Sequence, residues 1–147
     1  MKITEALLAE HVVFHNLFDH IEATLPKLKT LAEVHALAGL LDALVQAHSQ
    51  VEDELLIEPL EHCFAQIGQQ ETFHDEHDEV DEHLKTALAS RSLKTARRLL
   101  QIAVVASRNH FDKEERLVFP MAEKALKSRT LTTLGETWMR QRKATDA

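Results

Sequence analysis

Residues 92–121 read SLKTARRLLQIAVVASRNHFDKEERLVFPM. Ala96, Leu100, Ala103, Ser107, His110, Glu114, Leu117 and Met121 recur at alternating steps of three and four. That stripe is the one by which a helix packs into a bundle, yet a histidine and a glutamate stand in it where aliphatic side chains belong. His110 and Glu114 are four apart, so on a helix they face the same way.

The same anomaly recurs upstream. TLAEVHALAGLLDALVQAHSQVEDEL, residues 30–55, carries the row Val34, Leu37, Leu41, Leu44, His48, Val51 and Leu55. Glu52 stands beside that row, following Ala38 and Val45 at heptad spacing, and repeats the His-x-x-x-Glu step from His48. Near the start, Leu7, His11, Phe14, Phe18, Ile21 and Leu25 form a third row, and Phe73, His77, Val80, Leu84 and Ala87 a fourth. The expected fold class is therefore all-α, an up-down antiparallel four-helix bundle. Each helix places one histidine in its own buried row.

Local signals set the expected boundaries. The first helix runs from about Thr4 to Leu25 and ends at Pro26, because the residue before proline is pushed out of the helical region. The second starts at Thr30, with Glu33 at capping-box spacing, and reaches about Ile57. Pro59 then kinks it or starts a further turn through Phe64. Gly68 marks a connection. The third helix spans about Thr72–Ala89, the fourth about Ser92–Val118 with a bend at Pro120. Thr133 and Glu136 cap a short last helix ending near Arg142. These elements form one domain over 1–147, with a core of about 4–126 and a C-terminal extension of 127–147.

Composition agrees and excludes several classes. Three Gly and three Pro in 147 residues disfavour turn-rich β architecture. Lys and Arg are outnumbered 17 to 24, which argues against a phosphate-backbone binder, so no nucleic-acid partner is expected. No stretch approaches the roughly 18 apolar residues of a membrane span, so no membrane partner is expected either. A single cysteine, Cys63, excludes an internal disulfide and suits a reducing compartment. MKITEALLAEH meets charge too early for a signal peptide. The expected setting is cytoplasmic, as a monomer or homodimer. Ten histidines exceed all seven aromatics (six Phe, one Trp, no Tyr) and require an explanation.

Four histidines and two carboxylates in a bundle core are costly when unpartnered. A buried unpaired ion costs several kcal/mol and a buried unpaired polar group about 1–3 kcal/mol. A domain stable by about 5–15 kcal/mol does not carry six of them uncompensated. Antiparallel geometry lets them share a height. Measured from a turn centred on residue 28, His11 and His48 differ by roughly 5 Å, whereas His15 is off by about 10 Å. Measured from residue 91, His77 lies 14 residues before and His110 19 after, a difference of about 7 Å, and His74 matches slightly better in height. The layer then holds four imidazole nitrogens and two carboxylates. That set suits two ions, each with two histidines and with Glu52 and Glu114 bridging; one ion with six ligands is the other arrangement. Imidazole plus carboxylate favours iron, manganese or zinc over thiolate-seeking metals. The metal-site candidates are His11, His48, Glu52, His77, His110 and Glu114, with His74 and His15 as lesser ones. His20, His35, His62 and His83 read as surface residues. Glu54 and Glu115 read as solvated or as outer partners.

Glu10-His11, His48-Ser-Gln-Val-Glu52, Glu76-His77-Asp78, His110-Phe-Asp-Lys-Glu114-Glu115 and Val118-Phe119-Pro120 together resemble the hemerythrin-like, or HHE cation-binding, family over about residues 4–126. The resemblance implies an up-down bundle around two Fe ions, bridged by two carboxylates and an oxo or hydroxo oxygen, with Zn or Mn as substitutes. There are departures. Animal oxygen carriers of the family place a further histidine four residues before that of the third helix, where this chain has Phe73. Their fourth-helix acid is an aspartate five residues after its histidine, where this chain has Glu114 four after. Reversible oxygen carriage is therefore not implied. More coordination positions stay open for a small diatomic ligand or peroxide. Three functions follow as expectations: a module that binds or senses O2, NO or iron; an enzyme acting on peroxide, nitric oxide or ferrous iron; and a zinc-bound or metal-free interaction module.

Overall fold

The computed structural model describes residues 1–63 and 70–144, the side chains of 70–74 excepted. Among the described residues the protein is all-helical. Helix α1 spans Ile3–Thr24, and the turn Leu25–Lys27 containing Pro26 ends it where the sequence predicts. Helix α2 spans Leu31–Glu52. Its cap is Thr30, whose hydroxyl oxygen accepts from the Glu33 amide at 3.2 Å. Helix α3 spans Gln70–Ala89, so Thr72 lies inside it rather than at its start. Helix α4 spans Leu93–Lys113, capped by Ser92. Helix α5 is the short Phe119–Ala125 and α6 is Ser128–Ala144. The expected Gly68 connection, the turn through Phe64 and the side chains of Phe73 and His74 lie outside the described residues. No helix among those described is long and apolar enough to cross a membrane.

The two proline bends take a form that periodicity did not predict. Asp53–Ile57 and Glu114–Val118 are π-helical turns, immediately upstream of Pro59 and Pro120. In each, the amide just before the proline bonds a carbonyl five residues back: Glu58 to Asp53 and Phe119 to Glu114. A π turn inserts one residue into the helical register. This corrects the fourth row: Leu117 points outward at 53 % exposure, while Val118 and Ala122 take the inward places expected of Leu117 and Met121. In α2, Leu44 is likewise 42 % exposed, and Ala38 and Val45 are buried instead. Two neighbouring rows had equal periodicity there, and packing selected the one that contains Glu52. The last helix also differs from expectation, beginning at Ser128 rather than beside Thr133.

Helices α1 to α4 each contribute to one apolar cluster, which includes Phe18 and Ile21, Leu41, Leu84 and Leu100. A second cluster joins Ile3 and Leu7 of α1 to Leu55, Leu56 and Leu60, to Val118, Phe119 and Ala122, and to Leu131 of α6. Burying a residue such as Leu41 or Leu100 contributes about 1.5–3 kcal/mol. Between these clusters lies the polar layer, His11, His48, Glu52, His110 and Glu114, each no more than 5 % exposed. Helix α6 packs along α1. A β-carbon at Gly135 would overlap the Met1 carbonyl oxygen, so α6 approaches the N-terminal backbone as closely as glycine permits.

Candidate metal centre

The buried row of each of the four long helices delivers its predicted histidine to this layer. His11 Nε2 lies 3.3 Å from His48 Nε2. The rings of His77 and His110 meet edge to face with centroids 4.5 Å apart. The six residues predicted as the centre fall into two groups that share both carboxylates. His11, His48, Glu52 and Glu114 form one, and Glu52, His77, His110 and Glu114 the other. Within each group one ligand atom per residue lies within 4.8 Å of all the others. His15 belongs to neither group; its Nδ1 faces the Arg108 guanidinium at 3.3 Å.

The carboxylates divide their oxygens between the two histidine pairs. Glu52 Oε2 is 3.1 Å from His48 Nε2 and 3.9 Å from His11 Nε2, while its Oε1 is 3.3 Å from His77 Nε2. Glu114 Oε1 is 2.6 Å from His110 Nε2, and its Oε2 is 4.0 Å from His11 Nε2. Each of the four histidines of the centre thus turns Nε2 inward.

Every Nδ1 turns outward toward an acid, and the acid always comes from the preceding helix in cyclic order. Glu10 of α1 accepts from His48 Nδ1 at 2.8 Å, and Glu76 of α3 accepts from His110 Nδ1 at 2.6 Å. Asp53, after α2, stands 3.7 Å from His77 Nδ1, and Glu115, after α4, stands 3.6 Å from His11 Nδ1. An imidazole that donates through Nδ1 presents a lone pair at Nε2, the tautomer a metal requires. The signal for this ring was legible in part, since each acid adjoins a predicted ligand in the chain. That each one faces the histidine of a neighbouring helix was not.

The electrostatics show what the layer lacks. Burial drives His11 down to about 3, helped by the charge of nearby His48. Burial also opposes charge on His48, but the hydrogen bonds to Glu10 and Glu52 outweigh it and hold that imidazole at about 9. Burial, and then the negative charge of Glu52, raise Glu114 well above the usual carboxyl value. Glu52 is held well below it despite burial, by Glu114 and by the imidazoles of His48 and His77. Two carboxyl groups sealed from water cannot both ionise without a counter-charge. Glu52 Oε1 and both Glu114 oxygens lie against imidazole Nε2 atoms without a well-formed hydrogen bond. A shared proton serves one or two of these atoms; cations held between the carboxylates and the Nε2 lone pairs serve them all. The donor set therefore fits a metal, and its nitrogen-and-oxygen character with no thiolate fits iron, manganese or zinc.

Aromatic packing fixes the wall on one side. Phe111 stacks on His11, with centroids 3.9 Å apart and planes within 7°. On another side His77, 14 % exposed, borders a polar cavity of about 400 Å³ lined by Gln46, Ser49, Gln50, Asp53, Asp78 and Asp81.

The family model described as Hemerythrin HHE cation binding domain matches residues 2–122. No curated protein and no solved structure matches the chain.

Proposed function

The chain belongs to the hemerythrin HHE cation binding domain family, and from that premise we propose that it is a dinuclear metal protein with iron as its working metal. His11 and His48 would hold one ion and His77 and His110 the other, with Glu52 and Glu114 offering carboxylate oxygens to both. The observation that carries this reading is the split of each carboxylate's oxygens between the two histidine pairs. The four long helices are then an up-down antiparallel bundle, built as one domain around the centre. Occupied by iron, the centre would supply redox change and open coordination positions for O2, NO or peroxide.

The residues themselves do the rest. Glu10 and Glu76 hold the Nδ1 protons of His48 and His110. Phe111 excludes water beside His11. The cavity beside His77 gives small polar molecules a path toward the layer. Binding or sensing is the reading we favour, because the buried titratable groups of the layer are all taken as candidate ligands or as partners of ligands, which leaves none as a separate general acid. An enzyme turning over peroxide, nitric oxide or ferrous iron is the second reading, favoured by the same access path.

Metal analysis with an ultraviolet-visible spectrum of aerobic protein is the test. About two iron ions per chain and a charge-transfer band, both lost in His110→Ala, are expected. Colourless protein that takes up no iron sinks the proposal. Catalytic loss of added peroxide or nitric oxide would move it to the second reading.

A further inference from the structure

Glu10 has more partners than its contact with His48 requires. Its Oε1 accepts from the Trp138 indole N–H at 2.7 Å and from Arg142 Nε and NH2 at 2.9 and 2.6 Å. Its Oε2 accepts from Arg142 NH2 at 3.0 Å and from His48 Nδ1 at 2.8 Å. Trp138 and Arg142 both lie on α6, beyond residues 2–122. Nor is α6 a loose tail. Leu131 is 1 % exposed, Leu134 and Trp138 pack on the second apolar cluster, and Gly135 abuts the Met1–Lys2 backbone.

We infer that α6 is a positioning element of the metal centre, in which Trp138 and Arg142 act on His48 through Glu10. A carboxylate on a long side chain has several rotamers; a bidentate guanidinium and an indole donor leave it one. With Glu10 fixed, the Nδ1–H of His48 has one acceptor and its Nε2 one direction. The corresponding acid on the opposite side, Glu76, is held by Lys113 at 2.9 Å, within the matched region. The centre is therefore braced on one flank by the bundle itself and on the other by the added helix. This inference rests on the metal reading above and deepens it.

The test is a double-mutant cycle on ferrous iron binding, with Zn2+ as a second probe. Arg142→Met and Trp138→Phe keep the packing and remove the donors. Each is expected to weaken iron binding by roughly tenfold, the lower end for an outer partner of a ligand. In a Glu10→Gln background the same changes are expected to alter binding by less than about twofold, since the intermediary is already impaired. Arg142→Lys, which restores charge without the fork, should recover part of the loss. Circular dichroism of the metal-free variants checks folding, and the histidine side-chain nitrogen signals report the His48 tautomer without metal. Equal weakening in both backgrounds, or parent-like binding by Arg142→Met and Trp138→Phe, overturns the inference while leaving the metal reading intact. A parent that binds neither ion overturns both.

Discussion

Glu52 and Glu114 bring one carboxylate oxygen each to within 4.8 Å of the other, and both side chains are at most 1 % exposed. Each stands four residues after an inward histidine, on helices far apart in the chain. Like charges so placed repel strongly in a medium of low dielectric. The layer is therefore stable in two conditions, with protons or with cations between the oxygens, and the difference between them is measurable.

Removing the metal is expected to destabilise the fold. A ligand present at a thousand times its dissociation constant contributes about 4 kcal/mol, or roughly 10–20 °C in Tm at this size. Thermal melts before and after chelation measure it. Identical Tm values, with metal loss verified by elemental analysis, would contradict the assignment of the layer.

Replacing Glu114 separates stability from binding. Glu114→Gln keeps the shape and removes the charge that burial and Glu52 disfavour. The metal-free variant should be at least as stable as the parent. Its metal affinity should fall by more than the roughly 10–100-fold typical of an outer partner. A metal-free variant more than about 1 kcal/mol less stable than the parent in urea titrations would show that the charge is compensated in a way this layer does not account for.

The pH dependence follows from His48 and Glu114. Both have folded pKa values above their unfolded ones, His48 at about 9 against 6.5. Groups shifted upward contribute stability at low pH and lose it as pH rises through the folded value. The metal-free protein should therefore lose stability between about pH 6.5 and 9. On the acid side, His11, lowered to about 3, withdraws stability as pH falls below 6.5. Metal binding at neutral pH should release protons and tighten as pH rises. Calorimetry in buffers of different ionisation enthalpy counts them, and no proton release at pH 7 would refute the protonated metal-free state.

Phe111 should matter although it offers no ligand atom. It is 3 % exposed, stacks on His11 and meets Phe14, Phe18 and His48. Phe111→Ala is expected to cost about 3–5 kcal/mol and to free the His11 ring to tilt. Phe111→Leu should retain most of the stability but weaken binding at the His11–His48 side. Chemical denaturation and metal titration of both variants check the split.

Periodicity was enough to read four helices and five polar residues in their rows with Glu52 beside one, and local capping and proline signals gave the start at Thr30 and the stop at Pro26. It succeeds because a helix repeats every 3.6 residues regardless of its neighbours, and because a histidine or glutamate in an apolar row is conspicuous. The family's motifs were legible for the same local reason.

What depended on the assembled fold was anything a single helix does not encode. Periodicity could not choose between Leu44 and Val45 as the inward residue, since both rows have the same spacing. The π turns before Pro59 and Pro120 shifted Leu117 outward and Val118 inward by inserting one residue. Which histidines pair, α1 with α2 and α3 with α4, was set by the packing of the helices. So was the ring of acids, each facing Nδ1 of the next helix's histidine, with hydrogen bonds formed at His48 and His110. The bond from Arg142 to Glu10 spans 132 positions, and no local pattern announces a contact whose partners meet only when α6 folds back along α1.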